Sequence, residues 1–453
     1  MFQSLKGKTF FAFFIVTHFL LSSFYLDWQQ RWNSTSRMLT LLSVCHYHTL
    51  NIDLFHERTE DKCFVNGHYY SEKAPLPVII TIPFYFFFKS TADLTPDQNG
   101  LIGKWAYITG DILCGVVPFV FLISVLLYKL QREKSIIPTY FLATLPIYSS
   151  FVFLYCGAFM SHLLAGALLL SSWLLLKDAK KYFLSGVFAG FAFLSDFPLG
   201  ISIPIFAFGI FSKEKSLKKP FEFILGFLPS LFFLFAFNYF VTGNPAKLPY
   251  QFVSNEAFVG ARNTLGFTGI HISALWKMLF SEYRGIFLYF PIFILIMFEF
   301  TKSCFAKRKI TINPTLFSFA VLFYLLICTH KIWWGGACIG PRHLIPVSIL
   351  VAFEGSRFLS RNKFSGWGFY ILMLSGLVCS WMAVSTAGYR IADEIENPFT
   401  KGVFHWFIEG KFNPGNILTL FFNISPKFAA WIWLLCFGGL SIILNKWFQW
   451  AVK

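Results

Sequence analysis

The stretch Asn66-Gly-His-Tyr-Tyr-Ser-Glu-Lys-Ala-Pro-Leu-Pro77, running directly into Val78-Ile-Ile-Thr-Ile-Pro-Phe-Tyr-Phe-Phe-Phe88, decides how the chain is read. Its first half closes a polar segment, residues 27–73, that follows the first apolar run at 10–26. Its second half is apolar but short for a crossing and carries Pro75, Pro77 and Pro83. If 75–88 crossed a bilayer, Lys129-Leu-Gln-Arg-Glu-Lys134 would lie outside and every later basic loop would invert. If it lies in the interface, the charges agree throughout, so an interfacial segment is expected here.

Working outward, the 453 residues are 56% hydrophobic and 13% charged, with 61 Phe, which excludes an ordinary soluble globular protein. Apolar runs of about 17–25 residues fit helices crossing a ~30 Å hydrocarbon layer. Twelve spans are expected, within a range of ten to thirteen: 10–27, 105–128, 136–155, 159–176, 182–195, 198–211, 220–241, 285–301, 313–329, 343–357, 365–386 and 428–445. The pair 182–195 and 198–211 is too short for upright crossings and predicts a broken or tilted arrangement. The net charge of +16 raises nucleic acid as a partner, but its placement argues against that. The basic residues cluster in short loops at 129–135, 177–181, 212–219, 302–311 and 357–364. Each loop has three or four Lys or Arg against at most one acid. That is the positive-inside pattern, with anionic lipid as its partner.

The fold class expected is therefore an all-α integral membrane protein, one polytopic domain over residues 1–453, with both termini cytoplasmic. The first run is read as an uncleaved span, because Asp27-Trp28-Gln29 follows it instead of a small-residue cleavage site. Polar segments at 28–104, 242–284 and 387–427 fall outside, with a short dense one at 330–343. Nine cysteines show no CxxC spacing, and only Cys45 and Cys63 share a polar loop where pairing is open. There is no Gly-rich phosphate loop, HExxH or nucleophile elbow, which argues against ATP as an energy source.

Candidate chemistry gathers in the outer segments. Asp53, Glu57 and Asp61 recur every four residues, which on a helix lines them along one face. Such a row could hold a divalent cation or supply a general base, though no ligand spacing demands a metal. The alternative is a solvated face partnered by Arg58 and Lys62. Lys73 sits where the polar loop meets the membrane, either snorkelling or pairing with a lipid phosphate. Tyr69 and Tyr70 fit an aromatic belt or a sugar-stacking wall. Arg342 and His343 follow Trp333, Trp334 and glycines at 335, 336 and 340, a pattern suited to an anion and a ring. Glu282-Tyr-Arg284-Gly285 makes a similar rim. Asp196, before Pro198, and His162 interrupt or cap helices and belong to a site or to the wet surface; sequence leaves both open.

This arrangement resembles the GT-C superfamily of bacterial membrane glycosyltransferases, in the lineage of protein O-mannosyltransferases and lipid A aminoarabinose transferase. Tyr70, Lys73, Ala74 and Pro75 are similar to the Tyr…Lys-Pro-Pro pattern that ends the first loop there. Further similarity lies in Asn33-Ser-Thr-Ser-Arg37, Thr59-Glu-Asp-Lys62, Ser281-Glu-Tyr-Arg-Gly285, and Trp334-Gly-Gly with Gly340-Pro-Arg342. The resemblance implies a polyprenyl-phosphate sugar donor and transfer to a glycan, lipid or protein acceptor on the periplasmic face of a bacterial inner membrane. Lys73 would bind the donor phosphate, with Arg342 and Arg284 assisting by charge. Arg37, His68, Tyr69, Tyr70, Trp334 and His343 would line the sugar and acceptor. One departure matters: the Asp usually found shortly before that Arg is absent at Asn33-Ser-Thr-Ser-Arg37. Asp53, Asp61 or His162 would have to take the proton instead, with Asp196 a further site member. A lipid-linked-sugar flippase and a catalytically silent binding subunit remain as alternatives.

Overall fold

The computed structural model describes residues 4–27, 31–97, 100–133, 135–260, 262–306, 313–361 and 366–452. Trp28, Gln29, Lys134, Lys307, Arg308, Lys309 and Lys363, all invoked in the expected topology, lie outside them.

A bilayer offers no water to satisfy the backbone, so crossing segments must close their hydrogen bonds internally, as helices do. Seven helices among the described residues are long and apolar enough to cross. They are α1 (Leu5–Ser22), Lys104–Leu130, His162–Ala179, Phe197–Glu214, Lys218–Thr242, Gly366–Thr386 and Pro426–Ala451. The chain is a mostly helical integral membrane protein, in line with the expected class. Several other expected spans are interrupted. Residues 136–155 form Thr139–Tyr148 and a separate turn, Phe151–Leu154, and Ile286–Tyr289 is parted from Ile292–Phe305 by Pro291.

After α1 comes α2 (Trp32–Tyr47), then a short 3-10 helix at Asp53–Arg58 and a hairpin, β1 (Lys62–Val65) and β2 (His68–Ser71). The turn is Asn66-Gly67, both at positive φ, which matches the twist of a two-residue hairpin. Lys62 pairs with Ser71, so Asp61 just before β1 faces Glu72 and Lys73 just after β2. The expected helical row of Asp53, Glu57 and Asp61 does not form. The 3-10 helix ends at Arg58, and Asp61 enters a strand. The same stretch contains an Asn-Gly turn between flanks rich in strand-forming residues, Cys63-Phe-Val65 and Tyr69-Tyr70, and that signal wins.

Next is α3 (Leu76–Phe88), 13 residues and so about 20 Å long, too short to cross. Phe84, Phe86, Phe87 and Phe88 are exposed, while Tyr85 is buried and donates to Asp93 Oδ2 at 2.9 Å. Then follow α4 (Lys104–Leu130), with a π-turn at Ile112–Val116, and α5 (His162–Ala179). The next elements are α6 (Tyr182–Ser195), α7 (Phe197–Glu214), α8 (Lys218–Thr242) and α9 (Ile345–Arg361). α6 crosses α8 at very close range. A Cβ on Gly186 would stand 1.9 Å from the Phe223 carbonyl oxygen, and one on Gly226 1.9 Å from that of Phe183. Gly186 and Gly190 form the small-residue spacing that lets membrane helices touch backbone to backbone. α5 and α6 are tied by reciprocal bonds, Ser172 Oγ to the Ser185 carbonyl at 2.9 Å and Ser185 Oγ to the Ser172 carbonyl at 2.8 Å. This trio frames the break at Asp196, whose backbone is extended two residues ahead of Pro198.

Candidate active site

The hairpin register delivers three charges to one point. Lys73 Nζ lies 2.8 Å from Asp61 Oδ2 and 2.5 Å from Glu72 Oε1. The triad is anchored to α2, where Ser36 Oγ donates to the Asp61 carbonyl at 2.6 Å and meets Ser71 Oγ at 2.7 Å. Thr59 Oγ1 donates to the Trp32 carbonyl at 2.9 Å and accepts the Asp61 amide at 3.1 Å. Burial acts against the Lys73 charge, but Asp61 and Glu72 outweigh it and its pKa rises. Burial pushes the Glu72 carboxyl up, with Lys73 opposing and Asp61 adding to the rise. An ammonium has three N–H bonds, so two are engaged and one is left for an incoming oxygen.

Next to this triad lies Arg37, on the buried face of α2. It donates to the Asn33 side chain and carbonyl, and to Ser161 Oγ at 3.2 Å. Burial draws its pKa down to about 10. Ser161 directly precedes His162, at the start of α5, and His162 Nδ1 meets Asp196 Oδ2 at 2.8 Å. The His343 ring stands edge-on to His162, centroids 5.5 Å apart, and His330 stands 5.7 Å from His343. Burial lowers His330 to about 4, and its Nδ1 accepts the Ile332 amide at 3.1 Å. The charges of Arg342 and Arg37 both bear on His162. Arg342 Nε is buried without a hydrogen-bond partner among the described residues, as is Arg37 Nε. A buried Arg37 and a half-buried Arg342, each with an unsatisfied Nε donor, suit a place that receives an anion.

Lys73 also lies at the edge of an apolar cleft of about 220 Å3 between α2, α3 and α8. Its walls include Val44, Tyr70, Pro75, Val78, Phe237 and Phe240, and Lys73 is its one charged lining residue.

The structure thus gathers Arg37, Asp61, Lys73, His162, Asp196, Arg342 and His343, while Tyr70 lines the cleft. It sends the other expected residues elsewhere. Asp53 accepts from His68 Nδ1 and from the Tyr69 amide, both at 2.6 Å, and so pins the hairpin. Tyr69 stacks on His56 at 3.9 Å with planes 9° apart, leaving that face closed to a sugar. Arg284 is the clear correction to the expected phosphate set. It is fully buried, and its donors meet the carbonyls of Trp334, Tyr283 and Gly336 at 2.6, 2.6 and 2.9 Å. Trp334 Nε1 lies 3.3 Å from Asp393 Oδ2, at the rim. Glu72 and His330 are site members that residue spacing did not single out, although Glu72 adjoins Lys73 in sequence. Cys45 and Cys63 are both free. Among the described residues, no group of three or more His, Cys, Asp or Glu is arranged to hold a metal ion.

A sequence model of the dolichyl-phosphate-mannose-protein mannosyltransferase family matches residues 81–239, about a third of the chain, from α3 through α8. The fold is similar over 99% of this chain and 77% of the other to ArnT from Cupriavidus metallidurans bound to undecaprenyl phosphate, with TM-score 0.52 and 12% identity. At that identity the likeness speaks for the GT-C fold, and the matched family speaks for a membrane glycosyltransferase. An Archaeoglobus fulgidus oligosaccharyltransferase tethered to an acceptor peptide is a more distant neighbour, with TM-score 0.41 and 14% identity over 82% of this chain and 54% of that one. No curated protein matches the chain in sequence.

Proposed function

We propose that this chain transfers a sugar from a polyprenyl-phosphate-linked donor to a lipid, glycan or protein acceptor on the outer face of the membrane. The observation that carries the reading is the meeting of opposites at Lys73: an apolar cleft suited to a lipid chain ends at an ammonium paired with Asp61, whose charge also reaches Arg37, and Arg342 bears on Arg37 in turn. A polyprenyl phosphate needs that combination and few other ligands do. The likeness of fold to a protein bound to undecaprenyl phosphate supports it.

In this reading the prenyl chain lies along Val78 and Phe237, and the phosphate takes the free N–H of Lys73 and the open side of Arg342. Departure of that phosphate develops negative charge at its bridging oxygen, which fixed cations stabilise more strongly in a low-dielectric site than water could. A single displacement inverts the anomeric centre. Tyr70, Trp334 and His343 bound the sugar and acceptor space. The segments 28–104, 242–284 and 387–427 act with the helices as one membrane unit.

The test is reconstitution of the purified chain in liposomes with radiolabelled polyprenyl-phosphate sugars, measuring label moved to extracted acceptors. Transfer by wild type that falls at least tenfold in Arg342→Gln is expected. Wild-type protein that carries label across the bilayer without transferring it would make the chain a transporter instead. Donor binding without any turnover would make it the silent binding subunit, a reading favoured by Asn33, whose side-chain oxygen is already engaged by Arg37.

A further inference from the structure

We propose that the acceptor's proton is taken by His162, held by Asp196, and not by a carboxylate of the first loop; this rests on the lipid-phosphate donor reading. Attack of a hydroxyl on an anomeric carbon requires the proton to leave as the new bond forms. The group that receives it must keep a lone pair, must not already be neutralised by a cation, and must lie within the span of one sugar residue from the cations that hold the leaving phosphate. Asp61 and Glu72 fail the second requirement, since both lie on Lys73 at 2.8 and 2.5 Å. Asp53 fails the third: its two oxygens hold His68 and the Tyr69 amide at the hairpin.

His162 meets all three. An ionised carboxylate only accepts, so the 2.8 Å contact with Asp196 puts the proton on Nδ1 and leaves Nε2 with its lone pair. No hydrogen bond from the described residues occupies Nε2. The groups facing the ring are Asp196 at the α6–α7 break, His343 and Arg342 from the turn before α9, and Arg37 from α2. Ser161, its neighbour, is held by Arg37. The ring is thereby fixed within the field of Arg37 and of Arg342, the guanidinium assigned to the phosphate. Asp196 holds the tautomer and balances the imidazolium when it forms, which makes it a positioning residue. In the step itself the acceptor oxygen bonds to the anomeric carbon and its proton passes to Nε2. The bond from that carbon to the phosphate oxygen breaks, its electron pair leaving with the phosphate. The imidazolium then releases its proton to water.

The experiment measures transfer in liposomes across pH together with affinity for undecaprenyl phosphate. His162→Gln is expected to lower kcat at least a hundredfold while changing undecaprenyl phosphate affinity by less than threefold. Imidazole in the buffer is expected to restore part of the activity of His162→Gly, which distinguishes a lost base from a lost fold. Asp196→Asn is expected to move the acid limb of kcat/KM to lower pH, because removing the carboxylate lowers the basicity of the ring. Wild-type transfer that survives His162→Gln, or an acid limb that disappears in Asp61→Asn and persists in Asp196→Asn at its wild-type position, overturns the assignment alone. Absence of wild-type transfer from every polyprenyl-phosphate donor overturns the donor reading and this assignment with it.

Discussion

Arg284 and Arg342 look alike in sequence and end in opposite circumstances. Each sits within two residues of a glycine, just ahead of an apolar helix. Arg284 is fully buried and spends its donors on three carbonyls, two of them in the loop that carries Arg342. Arg342 crosses that same loop, its Nε 3.0 Å from where a Cβ on Gly335 would be, and that Nε has no partner among the described residues. One arginine builds the wall and the other is presented by it. The lesson is that a cation ahead of an apolar helix is assigned by what its donors already hold. Charge and sequence setting are common to both.

Four substitutions test the contrast. The largest effect is expected from Arg284→Ala, which orphans buried carbonyls at about 1–3 kcal/mol each and unties the 334–336 loop. Detergent-extracted protein should be poorly folded, with its thermal midpoint lost or sharply lowered; a stable variant that merely binds donor weakly would return Arg284 to the phosphate site. Lys73→Met comes next, since it leaves Asp61 and Glu72 buried together. A buried charge deprived of its partner costs roughly 3–5 kcal/mol, and the sixth of the Lys73 side chain that remains exposed argues for the lower end. Adding Asp61→Asn should recover thermal stability but not affinity for undecaprenyl phosphate. Recovery of both would show that Lys73 serves the fold alone.

Arg342→Gln should leave the thermal midpoint within about a degree or two and weaken undecaprenyl phosphate binding roughly tenfold or more, as loss of one charged hydrogen bond of ~1.5–3 kcal/mol requires. Loss of stability on the scale of Arg284→Ala would erase the distinction between them. The smallest change is expected from Glu72→Gln. Burial raises the Glu72 pKa in the folded state, so the native form binds its proton more readily than the unfolded chain does. Its contribution to stability is therefore present in acid and is lost as pH rises through the raised pKa. The variant should be more stable than wild type above neutrality, and that advantage should vanish as the pH falls into the ordinary carboxylate range, in paired melts across pH.

Much of this was legible in the residues. Apolar runs and basic clusters imply a helical membrane protein, and the length and prolines of 75–88 fit the short helix α3 found there. Lys73 stands out because an ammonium beside Pro75 marks where loop meets membrane. The carboxylate row at 53, 57 and 61 misled because four-residue spacing implies a helix face only if a helix persists. Asn66-Gly67 closed a hairpin there instead. The register that follows separates Asp53, which pins the turn, from Asp61, which meets Lys73.

The sequence by itself determined the solvent of this protein and its helical class. Those follow from local hydropathy and the cost of unpaired backbone in lipid. Only the tertiary structure decided which cations are free and which histidine has a carboxylate. His162 and Asp196 are 34 residues apart and meet where α6, touching α8 through Gly186 and Gly226, breaks after Ser195. Arg284 and Arg342 parted company because carbonyls from a loop some fifty residues downstream claimed one of them. Donor satisfaction is a property of neighbours in space, and no local pattern encodes it.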